Sequence, residues 1–336
     1  MTKILVTGVT GRVGRNISRA LISRGNKVRG LVLPDDPGLA NAISAGVECT
    51  IGNLRNPDTA AAVVADVDAV IHLGAMMLYG SALHNARLFD DNLRGTFNLA
   101  HAAAMRKVQR FIFASSDEAY PSLDACYLPI DENHPTQPYS FYGLTKLAGE
   151  EVLRYYHRAH ALPISIARFA LVMEPWESTN PKGTLGGFLF LKSMLAIIEG
   201  RAGVEAAMAL QAQLKDDNTL LLARDSNAIP YMFHCVDVRD IVLGLLQMLE
   251  VPSAVGEAFN LSGPAPFTYD QVIPYLAQIT GYPFVDARII GPSIRIHHST
   301  AKARQLLGYY PQYDIFHSIK DGFSDSRFRG SQLMCS

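Results

Sequence analysis

Lys3-Ile4-Leu5-Val6-Thr7-Gly8-Val9-Thr10-Gly11-Arg12-Val13-Gly14 is the stretch whose reading decides the fold. Lys3 to Thr7 form a mostly apolar run of strand length, and the residues after Gly14 place Ile17, Ala20 and Leu21 at helical spacing. Strand, glycine turn and helix in direct succession predict the opening of a βαβ unit. In such a unit Gly8 permits the tight turn, Gly11 lets the backbone approach a pyrophosphate, and Gly14 allows the helix to pack closely on the strand. The helix start adds free N–H groups and positive partial charge facing the anion. A dinucleotide site is therefore expected on Gly8, Thr10, Gly11, Arg12, Val13 and Gly14.

Outward from this stretch, strand-like runs near 27–33, 47–51, 68–73 and 110–115 alternate with helical patterns near 13–24, 57–65, 84–105 and 140–160. Pro163 to Ala170 supply a sixth strand. Such alternation predicts right-handed crossovers and an α/β fold with a doubly wound parallel sheet. Ligands of these sheets sit beyond the carboxyl ends of the strands, where Gly8, Ser116 and the loop after Ala75 all fall. After Met173 the character changes. Glu174-Pro175-Trp176 and a Thr/Asn/Pro/Gly-rich passage to Gly187 read as a loop, followed by helical stretches near 188–199 and 201–215. We expect residues 1–172 to form the dinucleotide-binding domain, revisited around 232–262. Residues 173–231 and 263–330 then form a smaller substrate-binding lobe, and the tail Gly330 to Ser336 reads as frayed.

Tyr142-Gly143-Leu144-Thr145-Lys146 is the second informative stretch. Residues four apart on a helix share a face, so an ammonium is expected beside a phenol. A free tyrosine has a pKa of about 10, and a neighbouring cation favours the phenolate. A tyrosine so placed can exchange a proton with an alcohol or a ketone.

Taken together, Thr7 to Gly14 and Tyr142-x-x-x-Lys146 resemble the extended short-chain dehydrogenase/reductase superfamily, in its NAD-dependent epimerase/dehydratase branch. Ile71-His72-Leu73-Gly74-Ala75, Asn92 to Leu99, Phe111 to Ser116, Phe233 to Val238 and Phe259-Asn260-Leu261 extend the likeness through most of the chain. The resemblance implies a Rossmann sheet in which Tyr142 is the general acid–base, and Lys146 lowers its pKa and binds the nicotinamide ribose. Ser116 then holds the reacting oxygen, with Ser115 the alternative if the register slips by one. Asn53 and Leu54 would flank the adenine, while Leu73, Gly74, Ala75 and Asn92 would line or support the cofactor pocket. Ser116-Asp117-Glu118-Ala119-Tyr120 is similar to the Thr-Asp-Glu-Val-Tyr of sugar-nucleotide 4,6-dehydratases, where two carboxylates move protons; a solvated loop is the competing reading of Asp117 and Glu118. The implied activity is redox chemistry at a secondary alcohol or ketone of a sugar-like substrate, with net epimerisation or dehydration. A one-way dehydrogenase or reductase of a small non-nucleotide hydroxy compound is the alternative, and a non-catalytic dinucleotide sensor is a third reading. A homodimer through the helices near 84–105 and 140–160 is expected by analogy alone.

Two departures weigh against a sugar nucleotide. Relatives carry Arg-x-x-Asn-x-Tyr-Gly-Pro where this chain has Arg168 to Pro175, so Leu171 replaces the amide, and Pro230 stands where many place a diphosphate-binding arginine. Arg168, Arg201, Arg224, Arg288 or Arg295 could substitute. For the cofactor, Asp35 and Asp36 near the end of the second strand favour NAD, while Arg12 and Arg15 keep NADP open. With 30 basic and 31 acidic side chains in 336 residues and no block of like charge, neither nucleic acid nor an anionic membrane is indicated. No run reaches the roughly 18 apolar residues of a membrane span, and a cytoplasmic enzyme is expected. Cys49, Cys126, Cys235 and Cys335 are scattered and read as reduced thiols. His157 and His160 share a helix face without a third ligand, His297-His298 is uninformative, and Trp176 either covers the pocket or packs locally.

Overall fold

The structure is a computed structural model that describes residues 2–77, 82–183, 186–290 and 293–324. The expected frayed tail lies outside these residues. Six strands run β1 Lys3–Thr7, β2 Lys27–Val32, β3 Glu48–Ile51, β4 Ala69–His72, β5 Arg110–Ser116 and β6 Ile164–Phe169. Between them lie α1 Arg12–Ser23, α2 Leu39–Ser44, α3 Pro57–Val63, α4 Ala82–Leu88, α5 Gly95–Met105 and α6 Phe141–His160. The short strands β7 Leu171–Met173, β8 Leu220–Arg224, β9 Met232–Phe233 and β10 Cys235–Asp237 precede β11 Ala258–Leu261, β12 Phe267–Thr268 and β13 Phe284–Arg288. The later helices are α7 Gly186–Leu189, α8 Leu191–Ala202, α9 Val204–Gln211, α10 Val238–Glu250, α11 Tyr269–Thr280, α12 Ala301–Leu307 and α13 Ile315–Ser324.

The main sheet is seven-stranded, fully parallel and ordered β11-β6-β5-β4-β1-β2-β3. Its central strands are buried on both faces because helices cover both, which is why they read as near-continuous apolar runs. Successive strands step outward from β1 to β3 and then restart at β4 on the other side of β1. That reversal opens a crevice beyond the carboxyl ends of β1 and β4. The seventh strand comes from far along the chain, and a second apolar cluster, drawn from segments on both sides of it in sequence, gathers Phe190, Leu221, Tyr269 and Ile319 where β8 pairs β13.

Two expectations on local structure change. The helical pattern near 84–105 is interrupted by a π-helical turn, Phe89–Arg94. Asn92 lies buried in that turn, its amide bonded to Met76 and Thr145, and π-turns commonly mark such inward displacements at functional sites. The passage from Glu174 is not an open loop at its start. Pro175–Thr179 form a 3₁₀ turn with a reciprocal capping box between Glu174 and Glu177. Trp176 packs within it and donates its indole N–H to Glu174 Oε2 at 2.8 Å. Among the described residues no helix is long and apolar enough to cross a membrane.

Candidate active site

After β1 the chain turns at Gly8 with φ +65°, and a β-carbon there would lie 2.9 Å from the backbone of Gly74. Gly14 is tighter still, since its β-carbon would fall 2.0 Å from the Gly8 carbonyl oxygen. Gly11 donates its N–H to Gly8 at 3.0 Å and begins α1 with no side chain capping the helix. The first-turn N–H groups thus have no side-chain acceptor, and the bare backbone leaves room beside them. These features fit a pyrophosphate.

Two adjoining spaces of about 300 and 310 Å³ meet at Gly8, Gly11, Leu73 and Ala75 and make one continuous cleft. The first is lined by Thr10, Asp36, Asn53, Leu54 and Gly74, and the second by Arg12, Val13, Gly14, Ser116, Tyr142 and Lys146. Asp36 rather than Asp35 faces the first space. Asp35 occupies a left-handed turn (φ 61°), while Asp36 accepts from Thr10 Oγ1 at 2.8 Å and from Gly38 N at 2.7 Å. One residue of turn geometry decides which carboxylate points inward. Asn92 reaches the site indirectly, bonding Met76 N at 2.7 Å, Met76 O at 2.9 Å and Thr145 Oγ1 at 3.1 Å. It ties the loop after β4 to α6.

The arginines expected to keep NADP open are committed elsewhere. Arg12 donates to Val172 O at 3.1 Å and to Glu177 at 2.6 Å, and Arg15 ion-pairs with Glu174. Their charge is spent on the 3₁₀ turn that follows β7.

Ser140 caps α6 by accepting from Gly143 N at 2.8 Å, and its own hydroxyl donates to Glu118. This cap sets Tyr142 in the first turn, against the end of β5. Gly143 is required because a β-carbon there would lie 2.3 Å from the Glu118 carbonyl oxygen. The Ser116 hydroxyl and the Tyr142 phenol both line the cleft, and Ser116 donates to Asp117 Oδ1 at 3.2 Å. Ser115 faces the other way, its hydroxyl donating to buried Glu150 at 2.6 Å. Strand alternation separates the two serines.

Lys146 lies one turn below Tyr142, yet its ammonium donates to the Ala114 carbonyl at 2.7 Å and stands 5.7 Å from the Tyr142 ring centre. Burial pulls its pKa down to about 7, with Glu150 acting in the opposite sense. The phenol is displaced upward from its ordinary value, foremost by burial and then by the charges of Glu118 and Asp117, while the Ser116 hydroxyl works against the rise. This corrects the expected depression by Lys146. Burial and the two carboxylates set the direction of the shift.

Asp117 and Glu118 form a 3₁₀ turn at the cleft, so the solvated-loop reading does not hold for Asp117. Its carboxyl is pushed up to about 7 by burial and by the Glu118 charge. Beneath the site, Arg168 makes a bidentate pair with Glu150, Nε to Oε1 at 2.9 Å and Nη2 to Oε2 at 2.7 Å. Its third nitrogen donates to Tyr120 Oη at 2.6 Å, and Tyr120 donates onward to Asn260 at 2.9 Å. Arg168 is therefore a buried structural cation and not a diphosphate ligand. Arg201 pairs with Asp124 and Arg224 with Asp286, whereas Arg288 and Arg295 are exposed outside the cleft lining. His157 bonds the Leu162 carbonyl at 2.8 Å and is accounted for by that contact.

Sequence reading missed Glu150, set His298 aside as uninformative, and did not separate Asp36 from Asp35. Glu150 carried a usable signal, since it follows Lys146 by four residues on the same helical face. Asp36 needed the turn geometry, and His298 comes from a remote segment.

Comparison with known proteins places these features in context. The profile of the NAD dependent epimerase/dehydratase family matches residues 4–262. A putative UDP-glucose 4-epimerase of Methanocaldococcus jannaschii is 33% identical over 196 residues, 57% of this chain and 63% of that protein. The UDP-glucose 4-epimerase of Halalkalibacterium halodurans is 26% identical over 317 residues, 92% and 91% of the two chains. Among solved structures, a short-chain dehydrogenase/reductase superfamily protein from Agrobacterium tumefaciens with bound NAD superposes with a TM-score of 0.89 at 33% identity, covering 99% of this chain and 100% of that one.

Proposed function

The chain belongs to the NAD dependent epimerase/dehydratase family, and from that footing we propose that it oxidises and reduces a secondary alcohol of a sugar-like substrate, using NAD and the Tyr142–Ser116–Lys146 cluster. The observation that carries this reading is convergence: Ser116, Tyr142 and Lys146 line the same cleft as Gly8, Gly11 and Gly14 of the glycine cradle. NAD, when bound, supplies a reversible two-electron acceptor for a carbinol carbon. Tyr142 Oη, once ionised, takes the hydroxyl proton as the carbinol becomes a carbonyl, and gives it back on return. Ser116 Oγ holds the reacting oxygen within reach of that phenol. Lys146, its pKa drawn down to about 7 by burial, gains charge when an electron-rich oxygen approaches it.

Asp36 at the cleft wall supports a ribose 2′-hydroxyl, and the pairing of Arg12 and Arg15 with Glu177 and Glu174 leaves a 2′-phosphate poorly served, so NAD is preferred to NADP. Return of the electrons to the same substrate gives epimerisation or water loss through a transient ketone. The occupied state of Arg168 favours a second reading, in which the substrate is a small hydroxy compound without a nucleotide diphosphate. The two differ in cofactor balance: the first product forms without net NADH, the second in proportion to it. We also propose the division into a dinucleotide domain and a substrate lobe, and a homodimer through α5 and α6, where Phe97, Met105, Leu144 and Tyr155 are exposed.

The test is Tyr142→Phe, assayed against free sugars, sugar acids and sugar nucleotides by product analysis and NADH absorbance. Turnover should fall by about 10²–10⁴-fold, with nucleotide retention, read by mass, unchanged. Undiminished turnover overturns the assignment of the acid–base.

A further inference from the structure

His298 belongs to no helix or strand of the main sheet, yet it is 3% exposed and both of its ring nitrogens lack a hydrogen-bond partner. Its Nε2 stands 3.6 Å from Asp117 Oδ2, just outside hydrogen-bond range. Asp117 lines the cleft and lies between Ser116 and Glu118. A buried, unsatisfied imidazole aimed at a carboxylate on the cleft wall calls for a physical account.

The surroundings hold that imidazole in place through its backbone. Ile130 N donates to His297 O at 2.7 Å and Ser299 N donates to Ile130 O at 2.8 Å, clamping the chain on either side of His298. His298 N donates to His234 Nδ1 at 3.1 Å, and His234 Nε2 lies 3.1 Å from the Gly263 carbonyl. Nδ1 of His234 is thus the acceptor and Nε2 carries the hydrogen, so His234 is neutral and cannot take a second proton without losing its bond to His298. The two rings stack at 5.8 Å and 21°. The clamp fixes the His298 ring opposite Asp117 while leaving its nitrogens unused.

We propose that His298 is a positioning residue for Asp117, donating Nε2–H to Oδ2 when the cleft is engaged and so making Asp117 a second proton-exchanging group beside Tyr142. Catalytic hydrogen bonds are often long in empty sites and tighten on binding, which accommodates the 3.6 Å separation. With Oδ2 accepting from the imidazole, Oδ1 keeps its bond from Ser116 Oγ at 3.2 Å. The Asp117 carboxylate takes a proton from a substrate C–H or O–H and returns it to a substrate oxygen or carbon, with no net change in protonation. The titratable groups around the pair are Glu118 on the same turn, Tyr142 and Lys146 on α6, and His234 and His297 on the far side. Burial holds the imidazole neutral, first by desolvation and then through His234 and His297. The neutral ring is the form that can donate one N–H while remaining uncharged.

The inference rests on the proposed active cleft, but its test needs no turnover. Protein saturated with NAD and labelled with ¹³C at aspartate carboxyl carbons is titrated by NMR, with Asp117 assigned through Asp117→Asn. In the wild type the imidazole favours the carboxylate, so His298→Phe should raise the Asp117 midpoint by about one pH unit, a tenfold change in ionisation ratio. His298→Gln, which keeps an N–H donor, should recover part of that shift. Equal midpoints in wild type and His298→Phe overturn the proposal. Should the phenylalanine variant fail to fold, the ¹⁵N shifts of the His298 ring in Asp117→Asn decide: they move if the groups are coupled, and unmoved shifts refute coupling. Retained tyrosine dependence with a silent carboxyl titration rejects this pair alone, whereas a coupled pair with an active Tyr142→Phe enzyme rejects the reading of the cleft.

Discussion

Glu150→Gln is the substitution whose consequence the structure fixes most closely. The carboxylate is fully buried and Arg168 is 4% exposed, so the pair lies in a region of low dielectric. Glu150 also accepts from Ser115 at 2.6 Å and from Arg154 at 3.2 Å. The amide keeps the shape and one acceptor oxygen but removes the charge. Arg168 is then left as a buried cation whose side-chain partners, the new amide and Tyr120, are both neutral. Breaking a buried pair in this way costs about 3–5 kcal/mol, and the retained acceptor places the expected loss near 3 kcal/mol. Against a total stability of about 5–15 kcal/mol the variant still folds.

The assay is denaturant unfolding of both proteins from pH 7.5 downward. Burial pushes the Glu150 carboxyl up, but the hydrogen bond and charge of Arg168, with Ser115 and Arg154, push it down further, leaving it below 4.5. A folded-state pKa depressed below the unfolded one contributes stability above the unfolded value, and that stability is lost as pH falls through the folded value. The difference between wild type and variant should be full at neutral pH and should narrow below about pH 4.5. Replacing both partners with leucine should recover much of the loss, because no charge is then buried alone. A neutral-pH difference below about 1 kcal/mol, or one indifferent to acid, would refute the reasoning.

Gly14→Ala should abolish dinucleotide retention and lower stability, since the added methyl meets the Gly8 carbonyl at 2.0 Å and backbone must move; nucleotide content by mass and a thermal melt check both. Dimerisation through α5 and α6 predicts that a charged replacement of exposed Phe97 yields a monomer by sedimentation. A wild type that sediments as a monomer at micromolar concentration contradicts that interface.

The order of elements and the dinucleotide cradle were legible in the sequence because both rest on local rules. Strand burial on two faces writes itself as apolar runs, and a turn too tight for any β-carbon writes itself as Gly8 and Gly14. Tyr142 and Lys146 were legible because helical spacing fixes their common face. What spacing did not carry was direction. Ser115 and Ser116 are chemically identical neighbours, and only their place on β5 sends one to Glu150 and the other to Asp117. Asp35 and Asp36 are separated in the same way by a left-handed turn.

Tertiary structure also decided the electrostatics, for a physical reason. The sequence shows which charges exist, but the pKa of a group depends on its burial and on which charges face it across the fold. Lys146 was read as the cation that acidifies Tyr142, yet it is desolvated and bonded to Ala114, while burial, and after it Glu118 and Asp117, hold the phenol up. Arg168 could be counted as an anion ligand until Glu150, eighteen positions earlier, was found bound to it. His298 meets Asp117 across more than half of the chain, and no periodicity links them. The sequence by itself determined the sheet, the cradle and the tyrosine–lysine face, because each is written in near neighbours; which polar groups meet, and in what charge state, only the folded chain could decide.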